Sequence, residues 1–223
     1  MLAGKIGAIF DWDGVVIDSS SHHEESWERL AAETGFVLPP DHFKKGFGMK
    51  NTFIIPKLLK WAEAADDVRR LSLRKEELYR AIVVERGIEP LPGVTGWLDE
   101  LRRHGIPCAI GSSTERLNIE TILNVIGIGY YFSAIVSADD VSHGKPDPEV
   151  FLTAAQRIGR EPARCVVFED ALVGIEAAHR GGMKVIGVAT TNPIHAIGTA
   201  DLAVHRLDEL SMDMLAALFS SVS

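Results

Sequence analysis

From Leu91 onward, short apolar runs rich in Val and Ile alternate with longer stretches in which apolar side chains return every three or four positions. That alternation predicts a parallel sheet covered by helices on both faces. The strand-like runs fall at 107–111, 134–137, 165–168, 184–188 and 202–204, and an earlier apolar run, 6–10, reads as a further buried strand. Between them, Val94, Trp97, Leu98 and Leu101 make one helical stripe that stops at Gly105. Leu117, Ile122, Leu123 and Ile126 make a second that stops at Gly127, and Pro148 opens a third helix behind Asp147, a residue suited to cap it. Residues 20–88 break the alternation. They carry no strand pattern but several amphipathic stretches: around Trp27, Leu30 and Ala31, over 54–61, and over 69–84, where Leu71, Leu78 and Ile82 share a face. Pro39-Pro40 and Pro90-Leu91-Pro92-Gly93 punctuate this segment. The expected fold class is α/β: a Rossmann-like doubly wound parallel sheet formed by residues 1–18 and 89–223, with an all-helical domain, 19–88, inserted after the first strand.

Composition narrows the classes of function. A chain of 223 residues that is 46% hydrophobic has enough apolar material for a full core. Its formal charge of −8 argues against nucleic-acid or anionic-membrane binding, so a phosphate-bearing ligand has to be drawn in by a local basic cluster. The two cysteines, Cys108 and Cys165, each lie inside a strand-like run and are expected to pack in the core. No long apolar span follows the start, and residues 1–5 lack a hydrophobic secretory region, so the expected location is the cytoplasm. The expected state is a monomer or weak homodimer.

The candidate chemistry begins at Asp11-Trp12-Asp13-Gly14, directly after the first apolar run. A strand alternates its faces, so Asp11 and Asp13 leave it pointing the same way, and a turn at Gly14 can curl both toward one cation. Like charges this close are costly without a metal or a shared proton. Taken alone, the pattern fits a solvated strand-end turn equally well. An EF-hand loop is excluded, because Val15 and Val16 fall where calcium needs an oxygen ligand and a glycine. Three more stretches lie at C-terminal ends of predicted strands, the edge where open α/β sheets bind ligands. Ser112-Ser113-Thr114 is a hydroxyl run leading into a helix, suited to phosphate oxygens. Lys145 is held between Gly144 and Pro146, and Glu169-Asp170 is a second acidic pair.

In this order the four stretches resemble the motifs of the haloacid dehalogenase superfamily, specifically its phosphatases and phosphomutases with a helical cap after the first strand, and the likeness spans essentially the whole chain. The resemblance implies Asp11 as nucleophile, Asp13 as general acid and base, and Ser112 and Lys145 as contacts to phosphate and nucleophile. It implies Mg²⁺ as cofactor, held by Asp11, Asp13, Glu169 and Asp170. Gly14 and the exit Asp18-Ser19 match as well. A second aspartate at position 13 points to phosphate esters, since the dehalogenases of the superfamily lack it and the phosphonate-cleaving members have alanine there. In the cap, His23 and Trp27 fall where β-phosphoglucomutase-like members have histidine and tryptophan, although two surface histidines, His22-His23, are an equally good reading. The run from Gly46 to Asn51 resembles a substrate-facing loop, and Lys45, Lys50, Arg74 and Lys75 are candidates for a distal anion. The substrate-binding set expected is therefore Gly14, Ser113, Thr114, His23, Lys50 and Asn51. The function implied is a Mg²⁺-dependent phosphatase of a small phosphorylated metabolite, a sugar phosphate or a phosphoglycolate-like acid, working through an aspartyl-phosphate. A β-phosphoglucomutase-type phosphomutase is the alternative, and a non-catalytic metabolite-binding module a lesser one. Against the mutase, Met49 or Asn51 stands where those enzymes have a cap arginine, and Glu115 where they have a lysine. Lys50 or Arg116 is the available compensation.

Overall fold

The computed structural model describes residues 5–46 and 49–220; residues 1–4 of the leading segment and Phe47-Gly48 of the Gly46–Asn51 run lie outside the described residues. The chain divides into two compact units, Met1–Asp18 with Glu89–Ser223, and Ser19–Ile88.

The larger unit is built on a six-stranded, wholly parallel sheet. Its strands are β1 (Gly7–Phe10), β2 (Cys108–Gly111), β3 (Phe132–Val136), β4 (Cys165–Glu169), β5 (Lys184–Val188) and β6 (Leu202–Val204), in the spatial order β3-β2-β1-β4-β5-β6. Every residue of β1, β2 and β4 is buried, which is why these strands appear in the sequence as apolar runs rather than alternations, β4 ending on the buried Glu169. Phe10 stacks on Phe168 of the next strand at 4.4 Å between centroids, while Ile9, Val167 and Val185 join Phe151 and Ile175 of the covering helices in one core. Cys108 and Cys165 are buried free thiols in this sheet, and burial pushes them up, to about 12 and about 11 respectively.

Two details differ from the sequence pattern. Leu117 is exposed, and the helix Arg116–Ile126 turns Asn118, Ile119, Ile122 and Leu123 inward. Leu117 stands five residues before Ile122, about 140° round the helix, so the two cannot share a stripe. Asp147 does accept a hydrogen bond from the Glu149 N–H, at 3.0 Å, although Pro148 occupies the cap position itself.

The topology places a site. Successive strands run from β1 outward to β3, then return past β1 and run outward again from β4 to β6, so the order reverses between β1 and β4. Helices on opposite faces part there, leaving a crevice at the C-terminal strand ends. Phe10 pairs with Phe168, so Asp11 and Glu169 leave adjacent strands side by side.

The smaller unit is helical. Ser20–Thr34 packs against the long helix Ala65–Arg86, and the short helices His42–Gly46 and Asn51–Phe53 lead into a turn of π-helix, Ile54–Leu59. Trp27, Leu30, Ile54, Ile55, Leu71 and Leu78 form its own core. No helix among the described residues is long and apolar enough to cross a membrane.

Candidate active site

Asp11 follows the last residue of β1, and its N–H donates to the Phe168 carbonyl at 2.9 Å, so the ladder holds it in line with the sheet. The chain then folds back on itself: Val16 N–H donates to Trp12 O at 2.9 Å and Gly14 N–H to Ile17 O at 2.8 Å. Trp12, Val15, Val16 and Ile17 are buried and anchor this turn from below. Gly14 has φ of 81°, in the left-handed region, and a Cβ there would overlap the Asp170 carboxylate. Glycine is thus required twice over, by backbone conformation and by the close approach of an acid. Asp13 accepts a hydrogen bond from the Thr114 hydroxyl, Oγ1 to Oδ2 at 2.6 Å, which ties the turn to the end of β2.

Lys145 reaches into the acids. Its Nζ donates to Asp11 Oδ1 and to Glu169 Oε1, each at 2.6 Å, and it lies 4.8 Å above the ring of Phe151. Burial lowers the Lys145 pKa, but Asp11 and then Glu169 outweigh it and hold the ammonium above its ordinary value. Glu169 belongs to β4, is fully buried, and uses its other oxygen to accept the Ala171 N–H at 2.7 Å. Burial and Asp11 raise its carboxyl against the pull of Lys145. Asp170 is pushed up to about 8 by burial, then by Asp11 and Glu169.

Asp11, Glu169 and Asp170 each offer a carboxylate oxygen, and the three atoms lie within 4.8 Å of one another. One lysine cannot balance three buried acids, and the raised carboxyls of Glu169 and Asp170 are the electrostatic signature of that deficit. Hard oxygen donors with an unmet charge suit a divalent cation. The sequence-predicted metal set also included Asp13, whose carboxylate is not in this cluster and is instead held by Thr114.

At the end of β2, Ser112 is buried and its Oγ accepts the Thr114 N–H at 3.1 Å, a tight hydroxyl turn, while Ser113 is exposed. Among the residues proposed for phosphate, Thr114 therefore serves Asp13 directly. Arg116, considered as a compensating cation, is committed elsewhere: its guanidinium binds Asp140 at 2.7 Å and the Ile135 carbonyl at 3.0 Å.

The helical unit holds a polar cluster of its own. The His23 ring lies flat on Tyr79, centroids 3.9 Å apart, and its Nδ1 accepts from Lys75 Nζ at 2.6 Å. Lys75, itself buried, also pairs with Glu76 at 2.9 Å, and Asn51 donates to Glu76 at 2.7 Å and to Ser72 at 3.1 Å. Arg74 is taken up by Glu33 and Glu77, and Lys45 and Lys50 are exposed. Neither residue of His22-His23 is a plain surface histidine, since His22 Nε2 meets the Gly87 carbonyl at 2.8 Å.

Burial, then Lys75, lowers the His23 pKa from 6.5 to about 3. Between those values the unfolded chain binds the proton and the folded chain does not, so stability rises with pH across this window and is lost on acidification. Burial raises Glu76, but Lys75 and His23 draw it down to about 2, so its contribution also fades as the pH falls below its ordinary 4.5. We expect the thermal midpoint to drop as pH falls from about 6.5 toward 3, and His23→Asn to flatten that slope. Melts over this range check it; a slope unchanged in the variant contradicts the assignment to His23.

Sequence reasoning missed three residues that shape the acidic site. A Cβ on Gly174, inside the helix Leu172–Arg180, would overlap the Glu169 carboxylate, so this glycine makes room for the buried acid. A glycine within a helix costs about 1 kcal/mol relative to alanine and was the available signal. Thr191 donates its hydroxyl to Asp170 Oδ2, and Asn192 donates to the Asp170 carbonyl at 3.0 Å.

Comparison with known proteins agrees with this geometry. The family model described as haloacid dehalogenase-like hydrolase matches residues 7–182. Over 95% of its length the chain is 42% identical to the chloroplastic 5-amino-6-(5-phospho-D-ribitylamino)uracil phosphatase of Arabidopsis thaliana, of which it spans 57%. It is 35% identical to the fructose-1-phosphate phosphatase YqaB of Escherichia coli K12, covering 82% of this chain and 95% of that one. The crystal structure of β-phosphoglucomutase from Clostridium difficile superposes with a TM-score of 0.82 at 25% identity, covering 98% of both chains. With the aspartates of the first strand end, the strand-end serine, the lysine and the acidic pair gathered at one edge of a parallel sheet, the chain belongs to the haloacid dehalogenase-like hydrolase family.

Proposed function

We propose that this chain is a Mg²⁺-dependent phosphatase of small phosphorylated metabolites, foremost sugar and sugar-alcohol phosphates and then short phosphoglycolate-like acids, working through a phosphoryl group carried on Asp11. The observation that carries the reading is Lys145 bridging Asp11 and Glu169 at 2.6 Å beside a second aspartate, Asp13, that is separately held by Thr114.

A carboxylate and a phosphate ester repel each other, so attack requires local positive charge. Lys145 supplies part of it and fixes the Asp11 carboxylate for in-line approach to phosphorus. Asp11, Glu169 and Asp170 are the residues that would hold Mg²⁺, which when bound would supply the remaining positive charge. Asp13, oriented by the Thr114 hydroxyl, protonates the leaving alcohol oxygen as the Asp11–phosphorus bond forms. In the second half Asp13 takes a proton from the water that attacks the phosphoryl group, which returns Asp11 as a carboxylate. Ser112 and the N–H groups that follow it are suited to the non-bridging oxygens. The names of the Arabidopsis and Escherichia coli relatives, a ribityl phosphate phosphatase and a fructose 1-phosphate phosphatase, favour a polyol or sugar portion of the substrate.

The likeness to β-phosphoglucomutase favours a second reading, isomerisation of a sugar phosphate. A mutase has to retain a bisphosphorylated intermediate while it turns round, which calls for a firm cationic grip on the non-reacting phosphate. Glu115 stands in the corresponding core loop and Arg116 is bound to Asp140, which favours hydrolysis and leaves exposed Lys50 as the remaining candidate for such a grip. Incubation with Mg²⁺ and a panel of the ribitylaminouracil phosphate, fructose 1-phosphate, phosphoglycolate and β-glucose 1-phosphate is expected to release inorganic phosphate, with little glucose 6-phosphate even when a bisphosphate primer is present. Isomerisation much faster than phosphate release establishes the mutase; no turnover of any member favours a non-catalytic binding module.

A further inference from the structure

Asp170 is gripped from three sides within the larger unit. The Thr191 hydroxyl donates to Oδ2, the Asn192 amide donates to the main-chain carbonyl at 3.0 Å, and the Cβ-less face of Gly14 packs against the carboxylate and Thr191 together, a Cβ there falling 3.0 Å from Thr191 Oγ1. The segment that presents Thr191 leaves the end of β5, the strand next to β4, and its backbone is pinned: Ala189 N–H donates to Val204 O and Thr190 N–H to Val188 O, both at 2.9 Å.

A carboxylate rotates readily about its last side-chain torsion, and Mg²⁺ demands near-octahedral oxygen placement. A hydroxyl that takes one carboxylate oxygen stops that rotation and leaves the remaining lone pairs aimed, the usual role of an outer partner to a metal ligand. Such a donor also eases the crowding of three acids before a cation arrives. We propose that Thr191 is the positioning residue of the cation site, fixing the rotation of Asp170 through its hydroxyl, with Asn192 fixing the Asp170 backbone. The inference rests on the reading of Asp11, Glu169 and Asp170 as the cation site.

The test is direct titration of the purified full chain with Mn²⁺, followed by electron paramagnetic resonance of the unbound ion, with competition by Mg²⁺. Thr191 lies on an exposed turn, so its variants are expected to fold as wild type, which a circular dichroism melt verifies. Thr191→Val keeps the shape and deletes the donor, and is expected to weaken binding of both ions about 10-fold. Thr191→Ser restores the donor and is expected to recover most of the affinity. Asp170→Asn is the reference for loss of a ligand. If the wild type binds and Asp170→Asn does not, but Thr191→Val matches wild type, the role of Thr191 is overturned while the cation site stands. If Thr191→Ser binds as weakly as Thr191→Val, the hydroxyl is not the operative group and the proposal fails. If wild type and Asp170→Asn bind alike, the cation-site reading falls and takes this inference with it.

Discussion

Asp11→Asn is expected to lower phosphate release by about 10³-fold or more while leaving the fold and thermal stability close to wild type. The amide preserves the shape of the side chain, so Lys145 still finds an oxygen at Oδ1, but the nucleophilic charge is gone and a cation ligand is weakened. Stability is spared because Asp11 sits in a cluster of like charges. Burial raises Glu169 and Asp170, and Asp11 then adds its own repulsion to both; removing it relieves a cost that offsets the weaker bond to Lys145. Steady-state phosphate release and a thermal melt check the two halves separately. Retention of more than a few per cent of the wild-type rate removes Asp11 from the mechanism, and a collapse of the melting temperature indicates a structural role instead.

Withdrawal of divalent cations is expected to have the second large effect. Phosphate release is expected to vanish in excess EDTA, to return with Mg²⁺, and to be inhibited by Ca²⁺. Calcium accepts about six to eight oxygen ligands and readily takes both oxygens of one carboxylate, which withdraws the oxygen that Asp11 needs for attack. The three acids around a single lysine also predict a stability effect, because a cation that binds only the folded chain stabilises it by mass action. The melting temperature is therefore expected to rise with Mg²⁺ in wild type and to rise less in Asp170→Asn. Full activity in EDTA, with no thermal response to Mg²⁺, contradicts the assignment.

Much of the sheet is legible from the sequence, for a physical reason. A strand buried on both faces has no polar alternation, so β1, β2, β4 and β5 stand out as apolar runs, and the C-terminal ends of β1, β2 and β5 are legible as well. The apolar pattern starts β3 at Ala134, two residues late, because exposed Ser133 interrupts it after Phe132. The apolar run ends β4 at Phe168, yet Glu169 is the last residue of that strand, kept there by Lys145, the Ala171 N–H and the space at Gly174. Lys145 lies 24 residues away in sequence, and of the two near partners the helical Gly174 is the one that leaves a mark in the pattern. The same holds for Arg116: its lysine-like promise as a phosphate contact disappears once Asp140 is seen to claim it. Thr191 and Asn192 follow the end of β5, and extending to that strand the rule used for β1, β2 and β4 was the one route to them.

The most direct test of the central claim is to quench turnover in acid with a substrate labelled on its phosphoryl group and to map any covalent label on the protein. The account predicts label on a peptide containing Asp11 in the wild type with Mg²⁺, and none in Asp11→Asn. Label on a different residue, or equal labelling of Asp11→Asn, contradicts it.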